Sequence, residues 1–236
     1  MSGAQLVAEA ADPVLALRFD APHVPGRGIG VLVINYNTAR QTLRCLESIQ
    51  QSTVLPDWVL VLDNASSEDD FQHLLHGCRP PEGGTLQIYR SDENLGFAKG
   101  SNVLIDLLLE QPACRYIMLL NNDAVAQRDM LASLRTALGD AGEEVGLAGG
   151  RMHKLADPTQ VDTLGIALYA SLMPADRKTL EDIYVGPTGG CCMLTRALVN
   201  RLKSVSGYCF DPRFFVIAKT PTWLYARCCS ATALSI

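Results

Sequence analysis

Asn121, Asn122 and Asp123 stand where a run of largely apolar residues, Tyr116-Ile117-Met118-Leu119-Leu120, stops. A carboxylate beside amide oxygens is a donor set for a hard divalent cation, Mg²⁺ or Mn²⁺, and such a cation brings phosphate with it. A strand followed by an Asx turn gives the same string with no chemistry attached. Two further polar clusters close apolar runs, however: Asn35-Tyr36-Asn37 after Gly30–Ile34, and Asp63-Asn64 after Trp58–Leu62. Asp63 can accept hydrogen bonds from a base, and Tyr36 can stack on that base or pack beside it. Asn94 and Lys99 bracket a turn within reach of a ribose or pyrophosphate, although Lys99 also reads as a solvated helix residue. Asp123 would hold the cation against two phosphates.

The elements that must carry these side chains follow from periodicity. Short continuous apolar runs read as strands buried on both faces, the kind found in parallel sheets. Such runs fall at 30–34, 58–62 and 116–120, and a short strand, Leu86 to Tyr89, follows Pro80-Pro81 and Gly83-Gly84. Between them lie helical patterns: one with Leu43, Leu46 and Ile49 on a single face and Asn37 as its cap, and one opened by Ser66 and Ser67 with Asp69 and Asp70 three positions on. A third begins near Gly96 and runs to Pro112, and a fourth carries Met130, Leu131, Leu134 and Leu138 and is stopped by Gly139. Strand and helix alternate four times, which predicts a doubly wound, mostly parallel α/β sheet flanked by helices. Ligands of such sheets sit at the carboxyl ends of the strands. Past Gly149 the alternation weakens into a loop-like stretch over 150–187, then a strand at Cys191–Leu194 and a helix at 196–203.

Composition narrows the function. With 48% hydrophobic and 19% charged residues among 236, the chain is globular rather than disordered. A net charge of −5 with no Lys/Arg cluster argues against nucleic acid as a partner. Eight cysteines without C-x-x-C spacing read as buried thiols in a reducing compartment. No run reaches the ~18 apolar residues of a membrane span and no basic signal region precedes one, so the expected location is cytoplasmic. The glycines Gly26, Gly28 and Gly30 precede the first strand instead of following it, which argues against a dinucleotide fingerprint; no Walker A loop or G-x-S-x-G elbow occurs. His73 and His76 read as an exposed helix face rather than a metal pair.

The segments NYN (35–37), LDNASSEDD (62–70), NLGFAKGSN (94–102) and NND (121–123), in that order, resemble the inverting glycosyltransferase family 2 with its GT-A fold, and most of all its rhamnosyltransferase-like members. The likeness spans about residues 29–216. It implies transfer of a sugar from a nucleotide diphosphate sugar, with dTDP-rhamnose as the specific donor suggested, to a glycan or lipid-linked acceptor. The biological setting it implies is cell-surface polysaccharide synthesis, with peripheral contact at the inner face of the membrane. It places Asn35, Tyr36, Asn37, Asp63, Asn64, Asn94, Lys99, Asn121 and Asn122 around the donor, with Asp63 on the base and Asn122 toward the ribose. Asp123 becomes the metal ligand, and Thr188-Gly189-Gly190 and Asp211 fall on the acceptor side. The corresponding division is an N-terminal extension over 1–27, a nucleotide-sugar-binding half over 28–150, an acceptor-side half over 151–216 and an aberrant tail over 217–236.

The tail is where the likeness breaks. After Phe210-Asp211-Pro212-Arg213-Phe214-Phe215 the family pattern calls for Glu-Asp followed shortly by Asp-Leu, whose carboxylate takes the proton from the acceptor hydroxyl. The chain instead reads Val216-Ile217-Ala218-Lys219-Thr220-Pro221-Thr222-Trp223, with no acidic residue after Asp211. Codons for residues 217–223, preceded by one T and regrouped, can encode Tyr-Cys-Glu-Asp-Thr-Asp-Leu. A single-base deletion near residue 217 is therefore the expectation, leaving the C-terminal part incomplete and the catalytic base unidentified.

Overall fold

A computed structural model describes residues 13–20, 26–142, 144–169, 174–214 and 234–235. Its centre is four parallel strands: Ile29–Asn35 (β2), Trp58–Asn64 (β3), Thr85–Ser91 (β4) and Tyr116–Leu120 (β5). The edge strand Val14–Asp20 (β1) pairs antiparallel with β4. Cys191–Thr195 (β12) returns antiparallel beside β5 and also pairs with Leu147–Gly149 (β6), on whose far side the backbone of Leu234–Ser235 (β13) pairs in parallel. The sheet order is β1-β4-β3-β2-β5-β12-β6-β13.

Both faces of the central strands are apolar because successive side chains alternate between two cores. Val31, Val33, Val59, Val61 and Ile88 face the helices Ala39–Gln50 (α1), Glu68–Gly77 (α2) and Met130–Asp140 (α4), whose Leu46, Ile49, Phe71, Leu74, Leu131 and Leu134 complete that core. Leu32, Leu60, Leu62, Ile117 and Leu119 face the helices Gly96–Leu109 (α3) and Arg196–Ser206 (α5), through Leu104, Ile105, Leu108 and Val199. Each such fully buried aliphatic side chain contributes ~1.5–3 kcal/mol relative to exposure. The winding runs outward from β2 through β3 to β4, then crosses back by α3 to β5 on the other side of β2. The switch point lies between β2 and β5. This is the doubly wound, mostly parallel architecture expected from the alternation.

Three details differ from the expectation. The stretch 150–187 is not a loop: Met152–Lys154 (β7) pairs with Asp157–Thr163 (β8), and Ile166–Leu168 (β9) lies between Pro174–Asp176 (β10) and Tyr184–Gly186 (β11). Most of these strands are three residues long and several pairings shift register, so no period of two survives in the sequence. Helix α4 passes through Gly139; it closes at Ala141, followed by Gly142 in the left-handed region at φ +83°. Asn37 does not cap α1, whose first position is preceded by Thr38. The role falls to Asp70 of α2, whose Oδ1 accepts from the Ala39 amide at 2.9 Å. The expectations for residues 1–12 and for most of the tail, including Phe215 and the 217–223 segment, lie outside the described residues.

Candidate active site

The β2–β5 ladder ends at Leu32 and Leu119, while β2 stays paired with β3 as far as Asn35 and Asp63. Past that point β2 and β5 part, and a cavity of about 450 Å³ opens at their carboxyl ends. That volume lies within the ~300–1,000 Å³ usual for small-molecule sites. Leu32, Ile34 and Tyr36 form one wall, and Leu119 to Asp123 form another. Asn64, Asn94 and the first turns of α3 (Gly96, Phe97 and Ser101) close the rest. Tyr36 is 49% exposed, so its ring stands on the rim with a free face.

Of the residues expected to act, the structure brings Tyr36, Asn64, Asn94, Asn121, Asn122 and Asp123 together on this one cavity. Asn64 is itself buried; its Oδ1 accepts from the Leu95 amide at 2.8 Å and its Nδ2 donates to Asn94 Oδ1 at 2.8 Å. The same Asn94 oxygen accepts from Gly96 N at 2.9 Å, at a turn where Gly96 takes φ +70°. These bonds fix the loop from β4 into α3, a left-handed start that glycine adopts without steric penalty.

Asn35 and Asp63 do not line the cavity, which corrects the expectation of a direct donor contact. Both are 0% exposed. Asn35 Nδ2 faces Asp63 Oδ1 at 2.9 Å, Asp70 Oδ2 at 2.9 Å and Ser66 Oγ at 3.1 Å, and Asn35 Oδ1 accepts from Thr42 Oγ1 at 2.7 Å. Asp63 also accepts from Ser66 N at 3.3 Å and lies 3.7 Å from Arg90 Nε. A buried carboxylate needs such partners, and here the protein supplies them. Asn37, at φ 53°, accepts from Ser67 N at 2.8 Å and donates its own amide to Ser66 Oγ at 2.9 Å, so it braces the turns after β2 and β3 instead of facing a ligand. Lys99 is exposed and off the cavity wall.

Gly189 and Gly190 approach from β12, whose antiparallel course returns them to the end of β5. Gly190 O accepts from Asn121 N at 2.9 Å. A β-carbon on Gly190 would stand 3.0 Å from the Asn121 amide, and one on Gly189 would stand 3.2 Å from the Phe97 ring. Phe97 also meets Phe210 edge-on at 5.7 Å between centroids. Asp211 lies outside the cavity lining, bound to the Arg213 guanidinium; hydrogen bonds from Arg213 hold its carboxyl down at about 2.

Asp123 is exposed, and no hydrogen bond or ion pair engages its carboxylate among the described residues. No set of three or more His, Cys, Asp or Glu gathers there or elsewhere among them. One carboxylate on an open rim does not fit zinc, which takes several protein ligands, but it fits Mg²⁺ or Mn²⁺ completed by phosphate oxygens and water.

Sequence reasoning missed the inner edge of α1, which holds the Asn121–Ala126 loop. Asn122 Nδ2 donates to Thr38 Oγ1 at 2.7 Å and to Thr42 Oγ1 at 2.9 Å, Cys45 Sγ donates to Asn121 O at 3.5 Å, and Ser48 Oγ accepts from Ala126 N at 2.9 Å. Burial, aided by nearby Asp123, pushes the Cys45 thiol up to about 12, so it serves as a neutral donor. The signal was small polar residues at 42, 45 and 48, one helical face beside the apolar stripe.

The family model described as Glycosyl transferase family 2 matches residues 30–203. No curated protein matches. Among solved structures, a mannosyltransferase, PcManGT from Pyrobaculum calidifontis in complex with GDP-Man and Mn²⁺, superposes with TM-score 0.60 at 18% identity, over 91% of this chain and 57% of that one. S. aureus TarS in complex with UDP-GlcNAc gives 0.56 at 16%, over 88% and 56%. A 4-diphosphocytidyl-2C-methyl-D-erythritolsynthase from Anaerococcus prevotii gives 0.50 at 10%, over 87% and 86%. At these identities the likeness is one of fold, and the chain spans little more than half the length of the first two.

Proposed function

The chain belongs to glycosyl transferase family 2, and from that premise we propose that it moves a sugar from a nucleotide diphosphate sugar to a glycan or lipid-linked acceptor, with inversion, assisted by Mg²⁺ or Mn²⁺. The observation that carries the reading is the exposed carboxylate of Asp123, without a hydrogen-bond or ion-pair partner among the described residues, at the mouth of the cavity where β2 and β5 part. Two structural neighbours are described with GDP-Man and with UDP-GlcNAc bound, which supports a nucleotide sugar as donor. The nucleotidyltransferase-type synthase shares the sheet, but the chain lacks a glycine-rich basic loop after β2.

In this reading Tyr36 stacks on the base, Asn64 and Asn94 set the loop beside the ribose, and Asp123 with the neighbouring amides holds the cation. When bound, the cation neutralises charge developing on the departing diphosphate. Leu32, Ile34, Leu119 and Phe97 give the cavity an apolar lining beside these polar groups. Residues 28–150 serve the donor and residues 151–216 shape the acceptor side. A dTDP-rhamnose donor is the finer form of the proposal. The workplace proposed is the cytoplasm, at the inner membrane face; among the described residues no helix is long and apolar enough to cross a membrane.

A second reading rests on residues 216–223, which carry no carboxylate where the family likeness calls for Glu-Asp: the chain binds donor but transfers poorly, because a general base contributes ~10²–10⁴-fold. Resequencing the gene across residue 217 tests the single-base deletion, and clean reads through Lys219-Thr220 would refute it. Titration with a panel of UDP-, GDP- and dTDP-sugars, with and without Mn²⁺, tests the main reading. Mn²⁺-dependent binding is expected to vanish in Asp123→Ala, and an unchanged affinity in that variant refutes it. Transfer and donor-hydrolysis assays on the same protein then separate turnover from binding alone.

A further inference from the structure

We propose that Thr42 is a positioning residue that couples the buried polar network under the base side of the cavity to the Asn122–Asp123 loop on its metal side; the proposal rests on the donor-binding reading above. Thr42 is 0% exposed, and no atom of it reaches the cavity. Its hydroxyl donates to Asn35 Oδ1 at 2.7 Å and accepts from Asn122 Nδ2 at 2.9 Å. Thr42 Oγ1 also lies 3.3 Å from Thr38 O, but the 2.7 Å contact to Asn35 Oδ1 is the shorter and takes the single hydroxyl proton, which leaves the lone pairs to accept from Asn122. Asn35 in turn gives its amide protons toward Asp63 and Asp70, and Asp70 caps the first amide of α1. The chain Asp63–Asn35–Thr42–Asn122 thus links the ends of β3, β2 and β5 through a single point on α1.

The direction of each bond has a consequence. Asn35 points its NH₂ at two carboxylates, and its buried oxygen is met by the Thr42 hydroxyl. With its proton committed there, Thr42 is left as an acceptor, and this orients the Asn122 amide inward with the help of Thr38 Oγ1 at 2.7 Å. The neighbouring Asp123 carboxylate is thereby set outward on the rim. A valine at 42 keeps the shape of threonine but supplies neither bond, so the NND loop loses a tether that no other side chain replaces in both directions.

The test is the ratio of nucleoside diphosphate affinity with Mn²⁺ to that without, measured by titration of the full chain with UDP, GDP and dTDP. Thr42→Val loses both bonds, but only the one to Asn122 lies on the metal side, so it is expected to cut this ratio about tenfold, in line with that single pairing, and Thr42→Ser to restore it. A role limited to folding lowers both affinities together and leaves the ratio where it was, which overturns the proposal. Should Thr42→Val not fold, Asn122→Ala approaches the link from the exposed side and is expected to give the same fall; no fall overturns the proposal. Where both variants fold, the double variant should lose less than the sum of the two, since they share the Thr42–Asn122 bond. Full additivity overturns the coupling. If the wild-type chain binds none of the three diphosphates with Mn²⁺, the donor-binding reading fails and this inference with it, whereas wild-type binding with an unaltered ratio in both variants sinks only the inference.

Discussion

Asn102 stands on α3 in the segment first associated with the donor, yet its side chain faces away from the cavity. It donates to Phe210 O at 2.6 Å and accepts from Cys209 N at 3.2 Å and Phe210 N at 3.0 Å. Phe210 is 1% exposed and Cys209 5%, so water cannot take over these bonds without opening the segment. Replacing Asn102 by alanine orphans three buried backbone groups. At ~0.5–1.5 kcal/mol for each bond the loss is about 3 kcal/mol, near the low end of the desolvation cost for three unpaired groups. For a domain of this size that corresponds to a fall in Tm of roughly 6–12 °C. Urea unfolding gives the free energy, and hydrogen exchange at the Cys209 and Phe210 amides shows whether the segment lets go before the rest. A loss under ~1 kcal/mol with unchanged protection of those two amides would refute the account. Asn102→Asp sharpens the test: it keeps the two acceptor bonds but sets a carboxylate oxygen against the Phe210 carbonyl.

Three smaller predictions follow from local geometry. Ala65 takes φ 63° at the end of β3, and Ala65→Gly relieves a left-handed alanine at ~1–2 kcal/mol against ~0.4–1 kcal/mol of added chain entropy, so urea unfolding should show a gain of a few tenths to about 1 kcal/mol. The Asp211 carboxyl, depressed from near 3.8 to about 2 by Arg213, adds stability above pH ~4 that disappears as pH falls toward 2; in Arg213→Gln its NMR titration should move up toward the ordinary value. Cys45, Cys78 and Cys209 are buried with thiols pushed up to about 12, mainly by desolvation, so iodoacetamide at pH 8 should leave them unmodified in the native protein and alkylate them in urea.

The parallel core was legible because β2, β3 and β5 are buried on both faces and so read as nearly unbroken apolar runs. Asp123, Asn122 and Tyr36 could be singled out because strand ends in such sheets meet at one rim, wherever the intervening helices go. The burial of Asn35 and Asp63 could not be read. A polar residue closing a strand looks the same whether it faces a ligand or a neighbour, and the partners of Asn35 at 63, 66 and 70 are about thirty positions away. The cap of α1 escaped for the same reason, since Asp70 acts across space, whereas Asn37 and Thr38 stand next to the helix in sequence. The small sheets past Gly149 escaped because strands of three residues carry too few side chains to show alternation.

Helix α3 touches both parts of the molecule within two turns: Gly96 and Phe97 wall the cavity, and Asn102 grips residues 209–210. Phe97 is also wedged between Gly189 and Phe210. The cavity wall and the 209–210 segment therefore share one helix, and neither can be exchanged without it. A chimaera that grafts the second half of a relative onto this first half has to bring residues 96–102 along with the graft, or the recipient will present a wall cut for a different door.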